Sequence, residues 1–347
     1  MRRWIKRLKQ LPIIACTGAL LLAYASCFIH PAQYGYFMVF GLFYPIILII
    51  SIIVVIAYLF VKPKYAIILL LAIGAGLKWW PSYFSIGETA KSPEDAIHIA
   101  SYNAQGFVER NSAGIYEFAE EAAMEFSNNQ DIKTIDLITL QESPIHNYDQ
   151  FVEMLDKKYT STHRRPRLSV YSHQDLEIVD SFHAENKTNG FLHLYWNLPT
   201  DTVEVISVHL QSNKIKNKDL NEMSQNSWTQ KSKYRSFLHS MRAYKEHAVQ
   251  RADQVVMILE RISKTSNPVI VLGDFNDVPM SYVSERMRLR LKDAYAEAGT
   301  GLSSTLRSVS GLKIDYIYVS EDITVHTSNV IRTGVSDHYP IMAAISL

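Results

Sequence analysis

The chain has 347 residues, with 35 Lys and Arg against 34 Asp and Glu, a formal net charge of +1. That length suits about two ordinary domains. Its two cysteines, Cys16 and Cys27, both lie in an apolar run near the N-terminus, so the rest of the chain is excluded from disulfide cross-linking, thiolate metal binding and cysteine nucleophilic catalysis.

The average composition hides a split. Residues 11–84 are almost uncharged, and 85–347 have the mixed composition of a globular domain. Three apolar runs, 11–29, 37–61 and 65–84, read as membrane spans, the third being the weakest because it carries Lys78. Arg2, Arg3, Lys6, Arg7 and Lys9 precede the first run, and Lys62 and Lys64 follow the second. The positive-inside rule puts both basic clusters in the cytoplasm, and three spans then put everything after residue 84 outside. Trp79, Trp80, Tyr83 and Phe84 are expected as an aromatic belt at the outer interface. A domain facing the cytoplasm is expected instead if the third run does not cross. Residues 85–95 open a polar linker, and 96–347 form the second domain.

Beyond the linker, apolar runs of strand length alternate with helical patterns. Strands are expected at 96–105, 135–142, 203–212, 267–277, 312–320 and 336–347, and helices at 112–130 and 247–265. In the second helix Ala248, Ala252, Val255, Val256, Leu259 and Ile262 should face inward. The pattern implies a mixed-sheet α/β sandwich flanked by helices.

Polar residues recur where the apolar strands end: Asn103, Glu142, His209, Asp274 with Asn276, Asp315, and Asp337 with His338. Each alone has an ordinary explanation as a cap, a surface acid or a satisfied strand residue. Gathered at one edge of a layered fold, hard oxygen donors, two histidines and an amide suit a divalent cation and a phosphate ester. In "VIVLGDFNDVP" (269–279), Gly273 allows a sharp turn or close backbone approach. Asp274 and Asn276 share one side of an extended segment while Phe275 points away. Asp277 is expected to accept backbone N–H groups in the turn before Pro279.

These residues resemble the endonuclease/exonuclease/phosphatase superfamily, which includes deoxyribonuclease I. The matching segments are "SYNAQG", "LITLQE", "SVHLQS", "LGDFND", "IDYIYVS" and "SDHYPI", in family order across 96–347. The resemblance implies a four-layer α/β sandwich preceded here by transmembrane helices, and a Mg2+ cofactor, with Mn2+ as a substitute. It implies Glu142 as metal ligand, with Asn103 and Asp337 helping directly or through water. Asp274 would orient or deprotonate the attacking water, and Asn276 would hold a phosphate oxygen. His209 would donate to the transition state, and Asp315 would pair with His338, which acts either as base or as a cationic phosphate ligand.

Other charged features have plainer readings. His163, Arg164, Arg165 and Arg167 form a basic loop that either steers phosphate or is merely solvated. Residues 213–251 are rich in Lys and Arg, including Arg251, with Tyr234, Phe237 and Tyr244 interleaved, and suit nucleic acid, anionic lipid or solvent. His173, His183 and His193 are taken as structural. Three function classes follow. The first is a membrane-anchored nuclease. The second is a phosphodiesterase or phosphatase of lipid head groups or small esters, similar to sphingomyelinases. The third is a non-catalytic membrane scaffold, which the complete motif set argues against. No obligate protein partner is evident, and the substrate-binding residues and oligomeric state are not legible.

Overall fold

A computed structural model describes residues 10–87, 92–110, 116–118, 120–142, 159–165, 167–185, 188–213, 230–307, 309, 311–333 and 336–347. The chain divides into two compact units. One comprises 1–80, 213–253 and 277–286; the other comprises 81–212, 254–276 and 287–347.

In the first unit, α1 (Leu11–Phe28) and α2 (Tyr44–Val61) each have 18 residues, with mean hydropathies of 1.9 and 2.8. Both are long and apolar enough to cross a membrane. The next helix, α3 (Pro63–Ala75), has 13 residues, and a 3-10 segment follows at Leu77–Ser82. Trp79 departs from the expected lipid-facing belt. It is buried, stacks on Tyr24 with ring centroids 5.2 Å apart, and donates to the Glu285 carboxylate at 2.8 Å. Lys78 donates to the other Glu285 oxygen at 2.8 Å. The helices thus receive the 277–286 segment directly. Ser26 Oγ donates to the Met280 carbonyl at 3.2 Å, and a Cβ on Gly41 would stand 2.1 Å from that same oxygen.

The second unit is built on two six-stranded sheets. One has the spatial order β11-β12-β1-β2-β4-β3: Thr324–Val330, Ile341–Ser346, Ile97–Asn103, Leu137–Gln141, Leu168–Ser172 and Ser161–Arg165. The other has the order β9-β10-β8-β7-β6-β5: Lys292–Asp293, Asp315–Val319, Val269–Asp274, Thr202–His209, Gly190–Asn197 and Asp175–His183. Each sheet has a parallel pair, β1 with β2 and β7 with β8, between antiparallel neighbours. The strands keep period-two alternation. Ile99, Leu137 and Val170 from the first sheet meet Leu192, Leu194, Val205, Ile270 and Leu272 from the second in one core. The other face of the first sheet, with Ala100, Tyr102, Ile138 and Leu140, packs on Ala123 and Phe126 of α4 (Glu120–Asn128).

The second sheet is flanked by α5 (Gln230–Ile262), whose Arg261 pairs with Asp180 and lies 4.6 Å from the centroid of Phe191. Helix, sheet, sheet and helix give the four layers expected.

Several element boundaries shift. The helix expected over 112–130 occupies only 120–128, after a short strand at Tyr116–Phe118. On α5, Val256 is exposed, while Arg251, Gln254 and Ile258 are buried with Ala248, Ala252 and Val255. The basic residues at 214–218 lie outside the described residues, as do the side chains of Arg164, Arg165, Lys231, Lys233, Tyr234, Arg235 and Phe237.

Candidate active site

Strand register brings the polar ends together. The parallel pairs set Asn103 beside Gln141 and His209 beside Asp274, and antiparallel β10 sets Asp315 beside Asp274. Asn103 is two positions from Ser101 and four from Ile99, so alternation turns it toward the space between the sheets. There its Nδ2 donates to Asp274 Oδ2 at 2.9 Å. Gly273 makes the β7–β8 junction possible. Its φ is +147°, and an added Cβ would lie 1.9 Å from the Val208 carbonyl oxygen. Phe275 turns the other way and packs edge-on against Tyr316 and Tyr318.

Asp274 is the hub. Besides Asn103, it accepts from the Asn276 N–H at 2.8 Å, and its Oδ2 lies 3.6 Å from His209 Nε2 and 4.0 Å from His338 Nε2. Burial and the neighbouring Asp315 push the Asp274 carboxyl up, with His338, His209 and Asn103 opposing.

The two histidines differ in charge. His338 Nδ1 donates to Asp315 Oδ2 at 2.9 Å, and its Nε2 lies 3.7 Å from Asp337 Oδ1. Burial alone would lower this imidazole, but Asp315 and then Asp274 overcome it, raising the pKa to about 10. His338 is therefore an imidazolium at neutral pH. Burial instead lowers His209. Its Nδ1 must donate to the Thr188 carbonyl at 3.1 Å, so the neutral ring has no proton on Nε2. His209 can donate toward a substrate oxygen only once protonated, a requirement its motif does not reveal.

Glu142 follows the end of β2. Continued alternation would send it outward with Leu140, but its φ of +51° breaks the strand geometry. Its carboxylate is 29% exposed and 3.8 Å from His209 Nε2. Asp337 is 45% exposed. Asn276 also has a left-handed backbone, at φ +52°, and its Nδ2 donates to the Leu210 carbonyl at 3.0 Å.

All eight motif residues thus gather at one end of the sandwich, directly or through Asp274 and His338. Ser336 joins them, its hydroxyl donating to the Asn103 carbonyl at 2.6 Å; its place immediately before Asp337 and His338 was the available sequence signal. Outside the centre, His193 pairs with Glu204 at 2.8 Å and His163 Nε2 contacts the Leu176 carbonyl at 2.6 Å. A cavity of about 500 Å³, lined by Asp136, Trp196 and Leu347 among others, lies at the opposite strand ends.

The donor set fits a hard divalent ion. Asp274, Asp315 and His338 offer ligand atoms within 4.8 Å of one another, but the His338–Asp315 bond and Asn103–Asp274 bond already occupy much of that cluster. Glu142 and Asp337 leave carboxylate oxygens reachable from solvent beside it. Two buried atoms, His209 Nε2 and Asp315 Oδ1, have no hydrogen-bond partner among the described residues. Oxygen donors without cysteine suit a hard cation over softer ions.

Layered sheets with acids, amides and histidines at one edge suit a phosphoesterase, the class to which the family match assigns the chain. Residues 100–338 match the Endonuclease/Exonuclease/phosphatase family, and the chain belongs to it. Residues 10–83 match a domain of unknown function, DUF8431. No curated protein matches. Among solved structures, truncated Caenorhabditis elegans TDP2 is similar at 17% identity and TM-score 0.50, covering 74% of this chain and 100% of that one. A mannosyl-6-phosphatase from Bacteroides thetaiotaomicron is similar at 15% identity and TM-score 0.50, covering 72% and 100%. Sphingomyelinase C from Streptomyces griseocarneus is similar at 16% identity and TM-score 0.49, covering 72% and 99%. At these identities the structural likeness concerns the fold.

Proposed function

We propose that the protein is a membrane-attached, divalent-metal-dependent phosphodiester hydrolase, acting as a nuclease. The observation that carries the hydrolase reading is the Asn103–Asp274–Asn276 network around the buried Asp274 carboxylate, facing the His338–Asp315 pair. Glu142 and Asp337 would hold Mg2+, with the Asn103 amide oxygen assisting. Mg2+ bound there supplies neutralisation of the phosphate and support for the leaving oxygen.

The chain's own residues account for the remaining chemistry. Asp274 is held by Asn103 and the Asn276 amide, and its raised proton affinity suits it to take a proton from the attacking water. His338 is already protonated, so it serves as a cationic contact to a phosphate oxygen rather than as the base. Asp315 fixes the ring and sustains that charge. His209, once protonated, donates from Nε2 to the charge that builds in the transition state.

Membrane attachment rests on α1 and α2. The proposed topology has three crossings, with α3 continuing through Leu77–Ser82. At about 1.5 Å per α residue and about 2 Å per 3-10 residue, that stretch is roughly 31 Å long, against a hydrocarbon core of about 30 Å. The catalytic unit would then lie outside the cytoplasm. A reporter fused after Leu347 that is active only in the cytoplasm refutes this arrangement.

The apolar helices favour a second reading, hydrolysis of a lipid head-group diester. Detergent-solubilised full-length protein with Mg2+, assayed against plasmid DNA, RNA, phospholipid and sphingomyelin, separates the readings. Cleavage of nucleic acid alone supports the nuclease, cleavage of lipid alone overturns it, and inertness toward all four removes both the nuclease and the lipid reading.

A further inference from the structure

Asn276 requires support. At φ +52° it lies in the left-handed region, which Asn enters more readily than other non-glycine residues but in which its surroundings must still select it over the extended alternative. Two of its constraints are at the site: its N–H bonds Asp274, and its side chain bonds the Leu210 carbonyl. The residue that follows supplies another. Asp277 is 5% exposed and meets Arg251 Nε at 3.1 Å, while its Oδ1 accepts from the Val278 N–H at 3.0 Å. Sequence reasoning anticipated the turn contact and missed the arginine.

Arg251 is the unusual partner. Its side chain is fully buried on α5, although arginines are almost never fully buried unless paired. Nη1 donates to Asn213 Oδ1 at 2.7 Å, and the guanidinium lies 5.5 Å from the Tyr244 ring centroid. Asn213 is four residues past His209, and Asp277 is three past Asp274. One planar group therefore holds the two segments that leave the ends of β7 and β8, the parallel strands carrying those site residues. One helical turn on, Gln254 Oε1 accepts from the Gln211 N–H at 2.9 Å, so the same helix face engages the first segment twice. A guanidinium has several N–H donors in a fixed fork, whereas a lysine ammonium is a point charge.

We propose that Arg251 is a positioning residue: through Asp277 it keeps Asn276 in its left-handed conformation, and through Asn213 it holds the segment following His209 in register with it. The catalytic part of this inference rests on the phosphodiester-hydrolase reading of the Asp274–Asn276 segment.

The test uses full-length protein in detergent, with the Arg251→Met, Arg251→Lys, Asn276→Ala and Arg251→Met/Asn276→Ala variants. Turnover of bis(p-nitrophenyl) phosphate is measured well below each unfolding midpoint and corrected for folded fraction. Misplacement of a reacting group by about 1 Å can cost about 10²-fold. Arg251→Met is expected to lower kcat by about that factor with KM within about twofold, and Arg251→Lys to recover only part of the loss. In the Asn276→Ala background, Arg251→Met should add little further loss, because residues acting through one another are non-additive. Losses that multiply overturn the positioning role.

Hydrogen exchange of the 273–280 amides supplies a readout independent of activity. It should accelerate about tenfold in Arg251→Met or, if that variant does not fold, in Arg251→Lys. Unchanged exchange refutes the clamp. An inactive wild type with accelerated exchange in the variant would remove the hydrolase reading and leave the clamp standing.

Discussion

Replacing Asp315 with Asn changes charge at nearly constant shape, which makes it a direct test of the His338 assignment. The Nδ1–Oδ2 contact is 2.9 Å, and the two residues are 6% and 1% exposed. The imidazole rises from 6.5 to about 10 against its own burial. At about 1.4 kcal/mol per pKa unit, that difference corresponds to at most about 5 kcal/mol favouring the charged ring. Asp315 provides the larger share and Asp274 the next. Breaking a buried charge pair by removing one member costs about 3–5 kcal/mol, so a loss of about 3 kcal/mol is expected. The remaining ring, still buried, should be largely neutral at pH 7. Turnover of bis(p-nitrophenyl) phosphate per folded molecule should fall by about 10²–10⁴-fold. His338→Ala should cost at least as much, and the double variant little beyond the worse single. Rates and unfolding midpoints for all three variants check this. Multiplicative losses, or an Asp315→Asn protein that is less stable but turns over normally when folded, would remove the dyad from the mechanism.

Excess EDTA should abolish activity and added Mg2+ restore it, and Glu142→Gln should raise the Mg2+ concentration needed while leaving the unfolding midpoint nearly unchanged; full turnover in chelator refutes both. Because the folded pKa of His338 exceeds its unfolded value, its stabilisation is complete below pH 6.5 and declines as pH rises toward about 10. The unfolding midpoint should therefore fall across that window, and His338→Gln should flatten the fall; parallel profiles would refute the charge assignment. Gly273→Ala combines a backbone penalty of about 1–3 kcal/mol with a steric conflict against Val208 O of similar size. Loss of folded protein in a thermal melt is the expected outcome, and a midpoint within a degree of wild type would refute it.

The site was legible wherever residue type and strand period sufficed. Asn103, His209 and Asp274 end apolar strands and Asp315 begins one; register brings the last three together within one sheet, and alternation turns Asn103 toward them from the other. Glu142 was visible as a residue type but not as a direction, since its aim depends on a left-handed backbone that alternation does not predict. The neutral state of His209 follows from burial and from a carbonyl contributed by Thr188, neither of which is encoded next to it, whereas the charge on His338 comes from Asp315, the partner the resemblance implied, and from Asp274. Arg251 was grouped with the exposed basic residues because arginine is ordinarily solvated. The contrary signal was its spacing: it falls with Ala248, Ala252 and Val255 on the buried stripe of α5. Trp79 misled for the same reason in reverse, an aromatic beside an apolar run whose partners, Tyr24 and Glu285, are distant in sequence.

The notch at Gly41 bears on how this protein can be rebuilt. The linker invites exchanging the N-terminal helices for an unrelated tether, as one would with a leash. Yet those helices contribute Ser26, Lys78 and Trp79 as donors to Met280 and Glu285, within the stretch that begins one residue past Asn276. Losing a hydrogen-bond partner at a buried acceptor costs about 1–3 kcal/mol, so a chimera would forfeit several kcal/mol from the packing of residues 277–286. The two sequence blocks should be inherited as a matched set, and a functional transplant would have to carry residues 277–286 along with the helices that cradle them.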